Sequence, residues 1–242
     1  MQKSVEIKTA SKQLLRGTLF QRDEALGKTP AVLFVHGWKS GERNYASRAE
    51  AVAALGYTCL TFDLRGHGRS DGNRESLTIA DSLDDAVAAF YFLAGQPEVD
   101  AMRMHVVGTS YGGYLSAALL SECHVESLVL RSPALYVDGD FHLTRDQRKE
   151  RAGKIEVYNR AMVPMAGFRG KTLIIESEHD ETIPHSVIQR YFDAARFPTH
   201  KVIDGADHNL REEAWRSQFI GILREWFGKL NSFGGQEGLP RI

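Results

Sequence analysis

Ser110 lies in the run Gly108-Thr109-Ser110-Tyr111-Gly112, between a short apolar stretch (Met104, His105, Val106, Val107) and a helix-like one (Tyr114, Leu115, Ala117, Ala118, Leu119, Leu120). A serine with glycine two residues away on each side, joining a strand to a helix, has the make-up of a nucleophile elbow. Such a turn leaves no room for side chains at the glycine positions, and its strain lifts the serine Oγ clear of the sheet. A serine hydroxyl is a poor nucleophile at neutral pH. It needs a histidine to take its proton and a carboxylate to hold that histidine in the right tautomer. Among nine histidines, His208 stands in Gly205-Ala206-Asp207-His208, a turn leading into the last helix. Asp180 follows the strand Thr172-Leu173-Ile174-Ile175 and lies on the same rim. Glu178, Glu181, Asp138 and Asp140 sit on neighbouring loops and compete with Asp180 for the acid's place. The developing oxyanion needs backbone donors. One expected donor is the amide of Tyr111, in the first turn of a helix and so at its positive end. The other is Trp38, just after the strand that ends in His36-Gly37.

Elements able to position these groups alternate along the chain. Strands are predicted over 4–9, 13–21, 31–36, 58–63, 104–109, 127–132, 172–177 and 200–203, the first two forming a hairpin. Helices are predicted over 43–55, 78–94, 111–122, 185–196 and 211–229. The clearest is 78–94, where Ala80, Leu83, Val87, Phe90 or Tyr91, and Ala94 recur every three or four residues. Near-continuous apolar strands between amphipathic helices imply an α/β fold, a mostly parallel sheet covered on both faces. Residues 137–170 break the rhythm, with many charges and a short apolar spacing at Ile155, Tyr158 and Met162 that ends at Pro164. This segment is read as a small cap over the C-terminal edge of the sheet, where α/β folds bind ligands. The chain is expected to form one domain over 1–230 with a flexible tail over 231–242.

Taken together, these motifs resemble those of the α/β-hydrolase superfamily, and within it the small esterases and serine-aminopeptidase-like hydrolases. The resemblance spans about residues 4–230. His36-Gly37-Trp38 is similar to the family's oxyanion motif, and Asp63-Leu64-Arg65-Gly66-His67-Gly68-Arg69-Ser70 resembles its D-x-R-G-x-G-x-S loop after the fourth strand. The elbow at Ser110, Asp180 with Ile183-Pro184, and Gly205 to His208 complete the match. Ser177 departs from the pattern, which often has glycine three residues before the acid. The resemblance implies an α/β-hydrolase fold of about eight strands and a cofactor-independent serine hydrolase. Its expected substrates are small or medium acyl or aryl esters, cleaved through an acyl-enzyme on Ser110. Thioesterase, peptidase or amidase, and carbon–carbon hydrolase activities share the machinery; a non-catalytic receptor would have lost a member of the triad. His36, His67 and Asp63 are expected to brace loops rather than move protons. His179 and His185 lack a third ligand at metal-binding spacing.

Composition narrows the partners. The 242 residues are 43% hydrophobic and 25% charged, with a formal net charge of -1. No basic stripe interleaved with aromatics suggests nucleic acid. No apolar run approaches the ~18 residues of a spanning helix, and the N-terminus lacks the apolar core of a secretory signal. The expected partner is therefore a small ester, and the expected compartment the cytoplasm. Cys59 and Cys123 form no C-x-x-C and are expected as buried free thiols.

Overall fold

A computed structural model of the chain describes residues 1–22, 27–149 and 159–234. The strands are β1 (Gln2–Lys8), β2 (Leu14–Phe20), β3 (Thr29–Val35), β4 (Thr58–Phe62), β5 (Val99–Thr109), β6 (Ser127–Arg131), β7 (Lys171–Ser177) and β8 (Pro198–Ile203). The α-helices are α1 (Ala46–Ala53), α2 (Ile79–Ala94), α3 (Tyr111–Ala118), α4 (Arg145–Lys149), α5 (Met162–Gly167), α6 (His185–Ala194) and α7 (Glu213–Gly234). One eight-stranded sheet runs in the order β1-β2-β4-β3-β5-β6-β7-β8. The predicted hairpin is β1–β2, and β2 meets β4 antiparallel; every other pair is parallel.

Alternation along the strands supplies both faces of the core. Leu33 and Val35 of β3 join a cluster with Val106, Leu128 and Ile174, covered by Ala86 and Phe90 of α2, Leu115 of α3 and Tyr191 of α6. Val32 and Phe34, one residue out of phase, join Val107, Val129 and Leu173 under Val52 of α1 and Phe219, Leu223 and Phe227 of α7. A parallel strand buried on both sides therefore reads as an unbroken apolar run. Helix α2 begins in a capping box, Thr78 accepting from the Asp81 amide while the Asp81 carboxylate accepts from the Thr78 amide. The chain turns one way from β3 to β4 and the other way to β5, which sits on the opposite side of β3. That reversal opens a crevice beyond the C-terminal ends of β3 and β5, the place where open α/β sheets receive ligands.

Several boundaries differ from the sequence expectation. β5 starts at Val99, five residues early, because Asp100, Ala101 and Arg103 interrupt its apolar signal and a register irregularity follows Thr29. Helix 111–122 is α-helical only to Ala118 and closes as a 3-10 turn over Leu119–Ser121. The last helix extends to Gly234, taking in the first four residues of the expected tail; residues 235–242 lie outside the described residues. Pro164 does not end a helix. It occupies the first turn of α5, where its missing N–H costs nothing. Ile155 and Tyr158, the other two members of that spacing, lie outside the described residues. Among the described residues, no helix is long and apolar enough to cross a membrane.

Candidate active site

Ser110 adopts φ 54° and ψ -117°, a region that a non-glycine residue occupies only under constraint. The constraint is steric. A Cβ on Gly112 would lie 2.2 Å from the Val35 carbonyl oxygen, and one on Gly108 would lie 2.4 Å from that of Gly112. Only glycine lets α3 start this close to the end of β3. Backbone bonds hold the turn: the Ser110 amide donates to the Arg131 carbonyl at 2.9 Å, and the amide of Ala134 donates to that of Ser110 at 2.9 Å.

His208 lies between Ser110 and Asp180. Its Nε2 is 3.0 Å from Ser110 Oγ, and its Nδ1 is 2.8 Å from Asp180 Oδ2 and 3.0 Å from Oδ1. An ionised carboxylate only accepts, so Nδ1–H donates to Asp180 and Nε2 is left to accept from the serine hydroxyl. Asp180 is anchored in turn, its Oδ1 accepting from the amides of Thr182 at 2.9 Å and Ile183 at 2.8 Å. Burial alone would raise this carboxyl. The hydrogen bond from His208, the Ile183 amide and the charge of His208 outweigh it and hold the group at about 2. The rival carboxylates are engaged elsewhere or exposed. Glu178 accepts from the Gly205 amide, Asp138 accepts from the Arg160 amide, Glu181 is exposed, and Asp140 sits in a 3-10 turn before α4. Among the described residues, the His208 ring bonds to Asp180 and Ser110, and not to Glu178, Glu181 or Asp138.

Gly37 and Trp38 follow β3 directly over the serine: a Cβ on Gly37 would lie 3.4 Å from Ser110 Cβ and 4.0 Å from Oγ. The Trp38 and Tyr111 rings meet edge to face, 5.2 Å between centroids, and Tyr111 meets Tyr136 at 5.7 Å. The backbone of the Trp38 turn is braced from two sides. His36 donates from Nδ1 to the Gly37 carbonyl at 2.8 Å and accepts at Nε2 from the Leu64 amide at 3.0 Å. Burial pushes this imidazole down to about 4, against the pull of the Gly37 carbonyl, so it remains neutral as its two bonds require. His67 sets Nε2 2.8 Å from the Trp38 carbonyl oxygen. Asp63 accepts from the amides of Glu42 and Arg69, and Arg65 pairs with Asp85 and Asp81 on α2. The whole Asp63–Ser70 loop is scaffold for the turn. His179 and His185 do not meet as a pair: the His179 amide donates to Ala206, and the His185 ring contacts Glu176.

A cavity of about 670 Å³ opens beside these groups, lined by Trp38, Ser110, Tyr111, Tyr136 and His208 among others. Arg145 of α4 lines the cavity; Arg145 and Arg148 lie over the Trp38 ring, and Arg148 over Tyr136. Two supporting residues had no role assigned from sequence, Arg131 standing outside the motifs and Ser177 seen only as a departure from the acid motif. Arg131, at the end of β6, donates to the backbone carbonyls of Asp207 and His208 and to Ser177 Oγ. Ser177, which stands where glycine is usual, thus has a bonding role that glycine could not fill. Both pairings span more than 40 residues, a distance over which local pattern is silent.

The model of the Hydrolase_4 family, described as serine aminopeptidase, S33, matches residues 28–165, more than half of the chain. The chain belongs to the serine aminopeptidase S33 family. It is a hydrolase with an α/β-hydrolase fold. A similar curated relative, the uncharacterized protein Rv2307c of Mycobacterium tuberculosis, is 30% identical over 215 residues, which is 86% of this chain and 72% of that protein. Human palmitoyl-protein thioesterase ABHD10, mitochondrial, is 34% identical over 95 residues, 37% of this chain and 28% of its own. Among solved structures, Est1E from Butyrivibrio proteoclasticus with bound ferulic acid aligns with a TM-score of 0.78 at 18% identity. That alignment covers 94% of this chain and 99% of Est1E.

Proposed function

We propose that this family member is a serine-dependent carboxylic ester hydrolase. Ser110 is the nucleophile, His208 the general base and acid, Asp180 the orienting acid, and the amides of Trp38 and Tyr111 the oxyanion donors. The observation that carries the reading is the hydrogen-bonded series Asp180–His208–Ser110, with 2.8 Å and 3.0 Å links, at the mouth of a cavity. Ser110 Oγ attacks the acyl carbon as His208 Nε2 takes its proton, and the tetrahedral intermediate collapses as that proton passes to the departing alcohol. Water then attacks the acyl-enzyme; His208 takes its proton and returns it to Ser110 Oγ, releasing the carboxylic acid. The negative charge of Asp180 stabilises the imidazolium formed in each half. The segment 137–170, of which 150–158 lie outside the described residues, is read as a short cap within one domain over 1–230, which suits small or medium acyl or aryl esters. A thioester reading is second, favoured by the likeness to the thioesterase ABHD10; the machinery is the same and only the leaving group differs.

Replacing Ser110 by alanine tests the reading. The variant should keep wild-type circular dichroism and lose about three to six orders of magnitude in turnover of an activated ester. Intact mass after treatment with a fluorophosphonate, followed by peptide mapping, should put the adduct on Ser110. An adduct on another serine, or equal turnover by the variant, refutes the assignment.

A further inference from the structure

The residues lining the cavity include six cations, Lys39, Arg48, Arg131, Arg145, Arg211 and Arg216, and no aspartate or glutamate. For a chain with a formal net charge of -1 this is a strong local concentration. Two of the six carry carboxylate partners: Arg211 lies 3.4 Å from Asp207, and Arg216 lies 2.8 Å from Glu213. Arg48 and Arg131 differ from the rest. They are only 8% and 2% exposed, and among the described residues neither forms an ion pair with a carboxylate.

Arg131 spends its terminal nitrogens on neutral acceptors, the Asp207 and His208 carbonyls and Ser177 Oγ, and its Nε has no acceptor. Arg48 lies against two rings, 5.2 Å from the centroid of Tyr45 and 5.2 Å from that of Phe219. It donates to the Asn44 carbonyl, and its Nε too is buried without an acceptor. Burial pulls both guanidinium groups below the usual arginine value, Arg131 to about 10, although Tyr45 and Glu213 oppose the shift at Arg48, and Tyr45, Asp180 and Asp207 oppose it at Arg131, without any of these carboxylates forming an ion pair with either arginine. A buried ion without a counter-ion costs several kcal/mol, and an apolar side chain of similar volume would avoid that cost. Aromatic faces and carbonyl oxygens soften the cost at Arg48 but do not cancel the charge. A guanidinium also offers a planar set of donors that matches a carboxylate or a phosphate. Arg131 belongs to the reacting end of the cavity, since its carbonyl holds the Ser110 amide and its guanidinium holds the His208 backbone, and Arg48 lines the same cavity.

We infer that the cavity accepts an ester bearing a second, anionic oxyacid group, carboxylate or phosphate, which Arg48 and Arg131 bind while the ester carbonyl faces Ser110. This rests on the ester-hydrolase reading for the reacting bond and on the arginine pair for the remote group.

Two 4-nitrophenyl esters of equal acyl length separate the two. Pentanoate ends in a methyl group, and the monoester of glutarate ends in a carboxylate. With spontaneous hydrolysis subtracted, wild-type kcat/KM should favour the glutarate ester by tenfold or more at low salt. Arg48→Gln should cut that ratio at least tenfold, and Arg48→Lys should cut it less. A wild-type ratio at or below one overturns the inference and leaves the hydrolase reading intact, as does a ratio that Arg48→Gln does not change. Should Arg48→Gln fail to fold, the wild-type ratio and the Arg48→Lys variant still decide. Should neither ester be cleaved, the hydrolase reading fails, and calorimetric titration of the full chain with glutarate and with inorganic phosphate tests the anion site alone. Millimolar or tighter binding of glutarate only assigns a carboxylate, and of phosphate only a phosphate; binding of neither overturns the site.

Discussion

At the scale of single residues, the acid is the assignment that calls for the sharpest test, because four other carboxylates, Glu178, Glu181, Asp138 and Asp140, stand within two residues or on a neighbouring loop. Geometry separates them. Asp180 is held from one side by two amides and from the other by His208 Nδ1, and its side chain is only 4% exposed. Asp180→Asn keeps the shape but replaces a charged acceptor with an amide that can also donate, which favours the wrong histidine tautomer. Its expected cost is about 10⁴-fold in kcat, the size known for the same change in a serine protease triad. Glu178→Gln and Glu181→Gln should each cost less than about tenfold, since neither contacts His208. Steady-state kinetics of the three variants on one ester decides the matter. A greater loss at either glutamate than at Asp180 would reassign the acid. The carboxyl at about 2 also predicts that Asp180 stays ionised throughout the pH range in which the protein is assayed.

At the scale of elements, the strand–turn–helix unit of β5 and α3 positions Ser110 because Gly112 lets α3 close against the end of β3 and Gly108 lets β5 close against α3. Adding one methyl group is a sharp probe of that fit. Gly112→Ala would bring a Cβ to 2.2 Å from the Val35 carbonyl oxygen and 2.6 Å from that of His36, both backbone atoms that cannot swing aside. The loss should reach about 3 kcal/mol, the upper part of the usual overpacking range, with activity falling as Ser110 is displaced. Gly221→Ala in α7 makes the opposite case. Nothing lies within 4 Å of its added Cβ, and the position is exposed and helical. There the change should stabilise by about 0.5–1 kcal/mol through helix propensity and a less mobile unfolded chain. Urea titration of the pair checks both signs. Two losses of similar size would mean that the closeness of α3 to β3 is not the determining factor.

At the scale of the whole molecule, two buried histidines, His36 just after β3 and His105 in β5, tie stability to pH. Burial drives His36 down to about 4 and His105 down to about 3, the latter aided by the Arg103 charge. His105 keeps one ring nitrogen 2.8 Å from Ser127 Oγ. Glu126 lies 3.5 Å from its other nitrogen, too weak an approach to reverse the effect of burial. In the unfolded chain both rings take up protons near 6.5, whereas in the folded chain they remain neutral. The unfolded state therefore binds more protons, and stability falls as pH drops from about 6.5 towards 4 for His36 and towards 3 for His105. His36 alone accounts for on the order of 3 kcal/mol over its full window. Urea midpoints at pH 7.5, 6 and 5 should decline in that order, and His105→Leu should flatten the decline whatever it does to stability at pH 7.5. An unchanged slope in the variant would assign the acid sensitivity to other groups.

Chemistry-bearing motifs were legible in the sequence because each is local. The glycines around Ser110, the strand ends before Asp180 and His208, and the Asp63–Ser70 loop answer to backbone geometry within a few residues, and local geometry constrains residue type directly. The alternation of apolar strands and amphipathic helices likewise specified a mostly parallel, doubly covered sheet. Strand ends set by pairing were harder to see: β5 gains Val99 from its partner Thr29 rather than from its own composition. The tertiary structure alone decided which carboxylate reaches His208, since Asp180 and its neighbours differ by one or two residues in sequence but face different ways. It alone joined Arg131 to Ser177, Asp207 and His208, and brought Arg48 to the same cavity from α1, 83 residues away in the sequence. An isolated arginine in a sequence looks like a solvated surface charge. Only the packing around it removes the water and leaves a cation without a carboxylate ion pair among the described residues.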